Sequence, residues 1–245
     1  MKNKTRSPSK LLVICLVLLS AFLFVTFFRA SFRSVDVAVN LWTPTIRSGA
    51  LTFLAEGVAL VFDTTSLVIF ALVISGWLVL KHYRAEGLLL LGAMGGDALL
   101  VSVIKALDQV ARPTDGILPD TGFSYPSGHS AGCVVFLGVL AYFAWRHWHG
   151  ARSRAAVAAG LGLAVGVVGF DRVYLGVHWL SDVFGGWLFG GFWLSFVILV
   201  FRQLRLAGKL ESDRFNRIAL WLYVVAVLVA VVILLLDLFG GILPS

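Results

Sequence analysis

The sequence predicts an all-α, polytopic transmembrane bundle, and three observations predict it. Hydrophobic residues make up 59% of the 245-residue chain and charged residues only 13%, where a soluble domain usually carries about 25% charged residues. Apolar windows near the ~20 residues of a membrane-spanning helix recur from end to end. Lys and Arg crowd alternate connecting segments, as they do in loops on the cytoplasmic side of a membrane.

The first window, 11–28, follows the basic start MKNKTRSPSK. Its apolar stretch is longer than the ~7–15 residues of a signal-peptide core, so a retained anchor is expected, with a cleaved signal as the alternative. Residues 49–60, GALTFLAEGVAL, are expected to form a shorter helix, at the surface or half-buried. Spanning windows then follow at 64–80, 86–104, 128–145, 155–170, 180–201 and 218–240. Three of them carry polar residues that suit a bundle interior better than lipid. These are Asp97 in the third of the seven, His129 opening the fourth, and Asp171-Arg172 ending the fifth. No 20–50-residue repeat or low-complexity tract breaks the chain, so residues 1–245 read as one domain.

With the N-terminus inside, fourteen of the twenty Lys and Arg fall on inside segments. The outer segments keep Arg29, Arg33, Arg47, Lys105, Arg112 and Arg172. The formal charge of +7 is therefore the charge of cytoplasmic loops. No basic stripe with interleaved aromatics argues for nucleic acid. Cys15 and Cys133 lie in apolar runs and read as small buried residues, with no disulfide framework and no thiolate metal site. The basic start and compact loops fit a bacterial inner (cell) membrane protein.

The same topology brings three polar clusters to the outer, extracytoplasmic face. KALDQVARP carries Lys105 and Arg112, YPSGHS carries Ser127, Gly128 and His129, and DRVYLGVHWLSD carries Arg172, His178 and Asp182. Three cations can surround a tetrahedral dianion, Arg by planar multi-donor hydrogen bonding and Lys as a point charge. Residues 127–130 open a helix, where free N–H groups and the dipole favour an anion. Gly128 lets that backbone approach closely and Ser127 adds a hydroxyl. His178 and Asp182 are i and i+4 on one helix face, so the carboxylate can hold one imidazole nitrogen and leave the other as a nucleophilic lone pair. His129 is placed to protonate a leaving oxygen.

Each residue also has a plainer reading. Lys105 can snorkel at a helix end, His129 can be an interfacial neighbour of a cap, and His178 and Asp182 can form a structural pair. Their order and common face favour the site. His129, His178 and Asp182 are also a possible zinc set, but the three cations would repel the ion, so no metal is expected. Elsewhere, RHWH with His147 and His149 reads as an interfacial anchor on the opposite face. Asp97 is expected to be hydrogen-bonded between closely packed helices, with a functional role as the alternative. Trp179 either lines a lipid entrance or joins the aromatic belt.

This pattern resembles the type 2 phosphatidic acid phosphatase (PAP2) superfamily. Its three motifs are Lys, six residues, Arg-Pro; Pro-Ser-Gly-His; and Ser-Arg, five residues, His, three residues, Asp. The first two match at Lys105, Arg112, Pro113 and Pro126–His129, and the third at Arg172, His178 and Asp182, with Asp171 where the family has Ser. Asp171 is expected to face water or to pair with Arg172 or Lys105. The resemblance implies a six-helix core over about 11–202, with 218–240 as an added seventh helix. It further implies cofactor-free, metal-independent hydrolysis of a lipid phosphate or diphosphate through a phosphohistidine. The implied substrates are polyprenyl diphosphate, phosphatidylglycerol phosphate, phosphatidate or sphingoid phosphate. His178 would attack, Asp182 orient it and His129 serve as acid. Lys105, Arg112, Ser127, Gly128 and Arg172 would bind the phosphoryl group. A phosphotransferase using the same site, or a non-enzymatic lipid-phosphate or anion transporter, are the alternative readings.

Overall fold

The computed structural model describes residues 8–118, 120–148, 150–211 and 213–240. Among these described residues nine helices follow one another: α1 Pro8–Phe27, α2 Arg33–Trp42, α3 Gly49–Val61, α4 Thr64–Leu80, α5 Arg84–Asp108, α6 Gly128–His147, α7 Ala151–Tyr174, α8 Leu180–Leu206 and α9 Asp213–Gly240. Short 3-10 turns at Arg29–Phe32 and Thr43–Ile46 flank α2. The seven apolar windows coincide with α1 and α4–α9, and the shorter helix expected at 49–60 is α3. The sequence patterns left 29–46 unassigned, and α2 lies there.

Among the described residues, five helices (α1 and α5–α8) are long and apolar enough to cross a membrane by themselves. At 17 residues α4 sits at the short end of the spanning range. It meets α3 at a 48° bend, and the pair together has spanning length. Local chemistry explains the bend. The Asp63 carboxylate caps α4 by accepting the Thr65 N–H at 2.8 Å, which starts a new helix where α3 has just ended. Large apolar side chains such as Leu80, Leu99 and Leu163 point outward, as lipid-facing residues do. The described part of α9 docks against α4 and α5. There the Tyr223 hydroxyl donates to the Leu72 carbonyl at 3.2 Å.

The central contact pairs α6 with α8 through glycines. A Cβ on Gly186 would lie 2.6 Å from the Ser127 carbonyl oxygen, and one on Gly190 would lie 2.8 Å from that of Ala131. Alanine at either position would force the helices apart, as expected where small residues let membrane helices approach. This contact sets the start of α6 against the start of α8, which is where the second and third motifs lie.

Asp97 is 4% exposed in the middle of α5, but its expected hydrogen bond is missing at Oδ1 among the described residues. Gly132 of α6 faces the other oxygen, a Cβ there lying 3.7 Å from Oδ2. Cys15 and Cys133 are buried free thiols. His147 is exposed at the other end of α6, and His149 lies outside the described residues.

Candidate active site

The three motifs converge at one end of the bundle, where α5 and α7 end and α6 and α8 begin. Their helix starts are built by the motif residues themselves. Ser127 is the N-cap of α6, its hydroxyl accepting the Ser130 N–H at 3.4 Å. Its own N–H donates to the Asp182 carbonyl at 3.0 Å, which ties α6 to the first turn of α8. Asp182 reaches back to accept the Trp179 N–H at 2.8 Å, the side-chain half of a capping box. The turn between α7 and α8 needs Gly176, at φ +69°. A side chain there would be strained and would meet Gly116 and Arg47. That tight turn fixes how far Arg172 stands from His178.

His178 lies on the floor of the site, 1% exposed. Its Nδ1 is 3.4 Å from Asp182 Oδ2, and its Nε2 is 3.3 Å from Arg112 Nη1. With Nδ1–H donating to the carboxylate, Nε2 carries the lone pair and accepts from the guanidinium. Burial, then the charges of Arg112 and Lys105, push the His178 pKa well below the usual histidine value. The ring is therefore neutral near pH 7, the form in which imidazole is a nucleophile.

The cations form a collar above this floor, and each is held by oxygen from the chain itself. Lys105 Nζ donates to the Phe123 carbonyl at 2.8 Å. Arg112 donates to the carbonyls of Val177 at 2.8 Å, Gly122 at 3.2 Å and Thr121 at 3.2 Å. It also pairs with Asp120 at 2.8 Å. Arg172 is buried and gripped by Asp171, whose Oδ2 accepts Nε–H at 2.8 Å. His129 lies within electrostatic range of Arg172, His178 and Lys105, with its Nε2 3.9 Å from Asp63 Oδ1. A Cβ on Gly128 would touch nothing tighter than Val101 at 3.7 Å. Packing within the chain therefore does not demand glycine there.

All eight motif residues expected to act together are thus gathered at one end of the bundle. Of the two readings of Asp171, the pairing with Arg172 holds and the water-facing one does not, since it is 2% exposed and bound to Arg172. One expectation changes. Trp179 is neither a lipid gate nor a belt residue. It is 8% exposed, its N–H holds Asp182, and its indole donates to the Ala111 carbonyl at 2.8 Å. Sequence reasoning also missed Asp36, Asp63 and Asp120. Each is a lone acid without motif spacing, recognisable only once its partner is known. Among the described residues no three His, Cys, Asp or Glu side chains form a metal-binding group.

The PAP2 superfamily model matches residues 86–206, which contain every motif residue. Phosphatidylglycerophosphatase B of Bacillus subtilis is 31% identical over 160 residues, covering 64% of this chain and 79% of that protein. An undecaprenyl-diphosphatase of Sulfolobus acidocaldarius is 33% identical over 147 residues, covering 55% of this chain and 64% of the relative. Among solved structures, the crystal structure of the transmembrane PAP2-type phosphatidylglycerolphosphate phosphatase from Bacillus subtilis superposes with a TM-score of 0.71. It is 27% identical and covers 78% of this chain and 96% of that one. With the motifs in order, the helices in place and relatives of this kind, the chain belongs to the PAP2 superfamily and is a multi-pass membrane phosphatase of that family.

Proposed function

We propose that this phosphatase hydrolyses a lipid phosphate or diphosphate through a phosphohistidine on His178, at the extracytoplasmic face of a bacterial cell membrane. The observation that carries the reading is the position of His178, with Nδ1 on Asp182 and Nε2 under Arg112. Phosphatidylglycerol phosphate is the first candidate substrate, because the relative bearing that activity matches most of its own length. Polyprenyl diphosphate is the second, on the undecaprenyl-diphosphatase likeness.

In the proposed reaction the phosphoryl oxygens replace the chain's own carbonyls and carboxylates around Lys105, Arg112 and Arg172. The N–H groups of Gly128 and His129 at the start of α6 take the remaining oxygens. The Nε2 lone pair attacks phosphorus while the bond to the leaving oxygen breaks, and His129 gives that oxygen its proton. Asp182 stabilises the imidazole as it becomes positive. Water then attacks the phosphohistidine, His129 takes the water's proton, and phosphate leaves with His178 restored. The cations stabilise charge on the transferring group in both steps, so no metal is needed for that task.

The test is phosphate release by purified protein in EDTA, from a panel of phosphatidylglycerol phosphate, undecaprenyl diphosphate and phosphatidate. Activity should persist with chelator and vanish in His178→Ala, and wild type quenched in alkaline denaturant, where the N–P bond survives, should carry phosphate on His178. Full activity in His178→Ala would remove the nucleophile assignment. For sidedness, single cysteines at Thr121 and at Lys81, in a background lacking Cys15 and Cys133, should differ in intact cells. A membrane-impermeant maleimide should label the first and spare the second. The reverse pattern would place the site in the cytoplasm.

A further inference from the structure

No motif accounts for α2, yet two of its side chains reach the third motif. Asp36 is 4% exposed, and both of its oxygens serve one residue of α8. Oδ1 accepts the Ser181 backbone N–H at 2.8 Å, and Oδ2 accepts the Ser181 hydroxyl at 2.7 Å. Arg33, three residues earlier on the same helix face, lays its guanidinium 4.1 Å over the Trp179 ring. Helix α2 therefore holds residues 179 and 181, the two that bracket the start of α8.

That start carries the His178–Asp182 pair. The Trp179 N–H donates to Asp182 Oδ2, the same oxygen that faces His178 Nδ1. A rotation of the first turn of α8 would move this oxygen off one partner or the other. The first N–H groups of a helix have no acceptor within it. In α8 Asp182 takes the one at Trp179, and Asp36 takes the one at Ser181 from 145 residues away. A buried carboxylate is an expensive way to cap a helix that already supplies its own acid. Burial indeed pushes the Asp36 pKa up, with the Ser181 hydrogen bonds opposing. Capping alone does not explain it, whereas fixing the rotation of α8 relative to the outer helices does.

We propose that Asp36, aided by Arg33, is a positioning residue for phosphoryl transfer: it locks the first turn of α8 so that Asp182 and His178 keep their register. The proposal rests on the reading that His178 attacks and Asp182 orients it.

The experiment compares Asp36→Ala, Asp36→Asn and Ser181→Ala in detergent with EDTA, measuring kcat and KM separately on one lipid phosphate, with His178→Ala alongside. Asparagine can accept the Ser181 N–H through its oxygen and meet the hydroxyl through its amide, so it keeps the clamp without the charge. In Asp36→Ala, kcat should fall about tenfold or more, with KM within about threefold. Asp36→Asn should recover most of that loss. A kcat within about twofold of wild type in Asp36→Ala, or a change confined to KM, overturns the proposal, as does Asp36→Asn as impaired as alanine. If Asp36→Ala does not fold, Ser181→Ala decides. It removes one of the two bonds and should lower kcat about two- to fivefold at unchanged KM, and an unchanged kcat refutes the clamp. Activity in His178→Ala overturns the underlying reading and this proposal with it. An inactive His178→Ala beside fully active Asp36→Ala and Ser181→Ala overturns this proposal alone.

Discussion

Asp182→Asn isolates the charge behind His178 while keeping its shape. In the wild type a single oxygen, Oδ2, serves both the Trp179 N–H at 2.8 Å and His178 Nδ1 at 3.4 Å. An amide oxygen in that place keeps the helix start and can still accept the Nδ1 proton. What is lost is the negative charge facing an imidazole that, in the proposed reaction, becomes positive as it attacks. The carboxylate is fully buried, so water does not screen the loss. A hydrogen bond to a charged partner contributes about 1.5–3 kcal/mol, and about 1.4 kcal/mol is a tenfold change in rate. The expected fall in kcat is therefore roughly 10- to 150-fold. Asp182 has no place among the phosphoryl contacts, so KM should stay within about threefold. The assay is initial-rate phosphate release from phosphatidylglycerol phosphate in detergent with EDTA, after the variant's melting temperature matches wild type. A kcat within about twofold of wild type would refute the assignment of Asp182, as would a KM effect alone.

Other outcomes follow from the way the collar is held. Asp120→Asn removes a half-exposed carboxylate from Arg112, a pair of about 0.5–1 kcal/mol that substrate phosphate must displace. Product phosphate should then inhibit about two- to fivefold more tightly, and weaker inhibition would contradict the competition. Asp171→Ser installs the family residue but leaves the buried Arg172 without its carboxylate. A stranded buried charge costs about 3–5 kcal/mol, so the melting temperature should drop and millimolar phosphate should restore much of it. An unchanged melting temperature would show the pair to be dispensable. The pH profile tests His178 itself. Its pKa lies well below the usual 6.5, and the nucleophile is the unprotonated form, so its lone pair survives acidification past that value. With a diphosphate substrate, the acid limb of kcat/KM assigned to His178 should lie well below pH 6.5. A limb centred near 6.5 would argue against a depressed value, and neutralising Arg112 or Lys105 should move the limb up.

Much of this protein is legible in one dimension. Window length and hydropathy determine the spanning helices, because lipid leaves a backbone no other partner for its N–H and C=O groups. Polar side chains at the window ends, with Lys and Arg asymmetry, bring Lys105, Arg112, Ser127, His129, Arg172, His178 and Asp182 to one face. The i, i+4 spacing makes Asp182 the partner of His178, because helical geometry is local. The acids were legible only where a local rule applied to them. Asp171, one residue from Arg172, looked able to face water, and only the close approach of neighbouring helices excludes that water. Asp120 reaches Arg112 through the path of a loop, and Asp63 approaches His129 through the bend between α3 and α4. Asp36 and Ser181, 145 positions apart, meet only when α2 is laid against the start of α8. Local periodicity and charge therefore determined which residues gather at one end of the bundle. Packing between distant helices decided what holds them there, since no spacing along the chain encodes a contact made by folding alone.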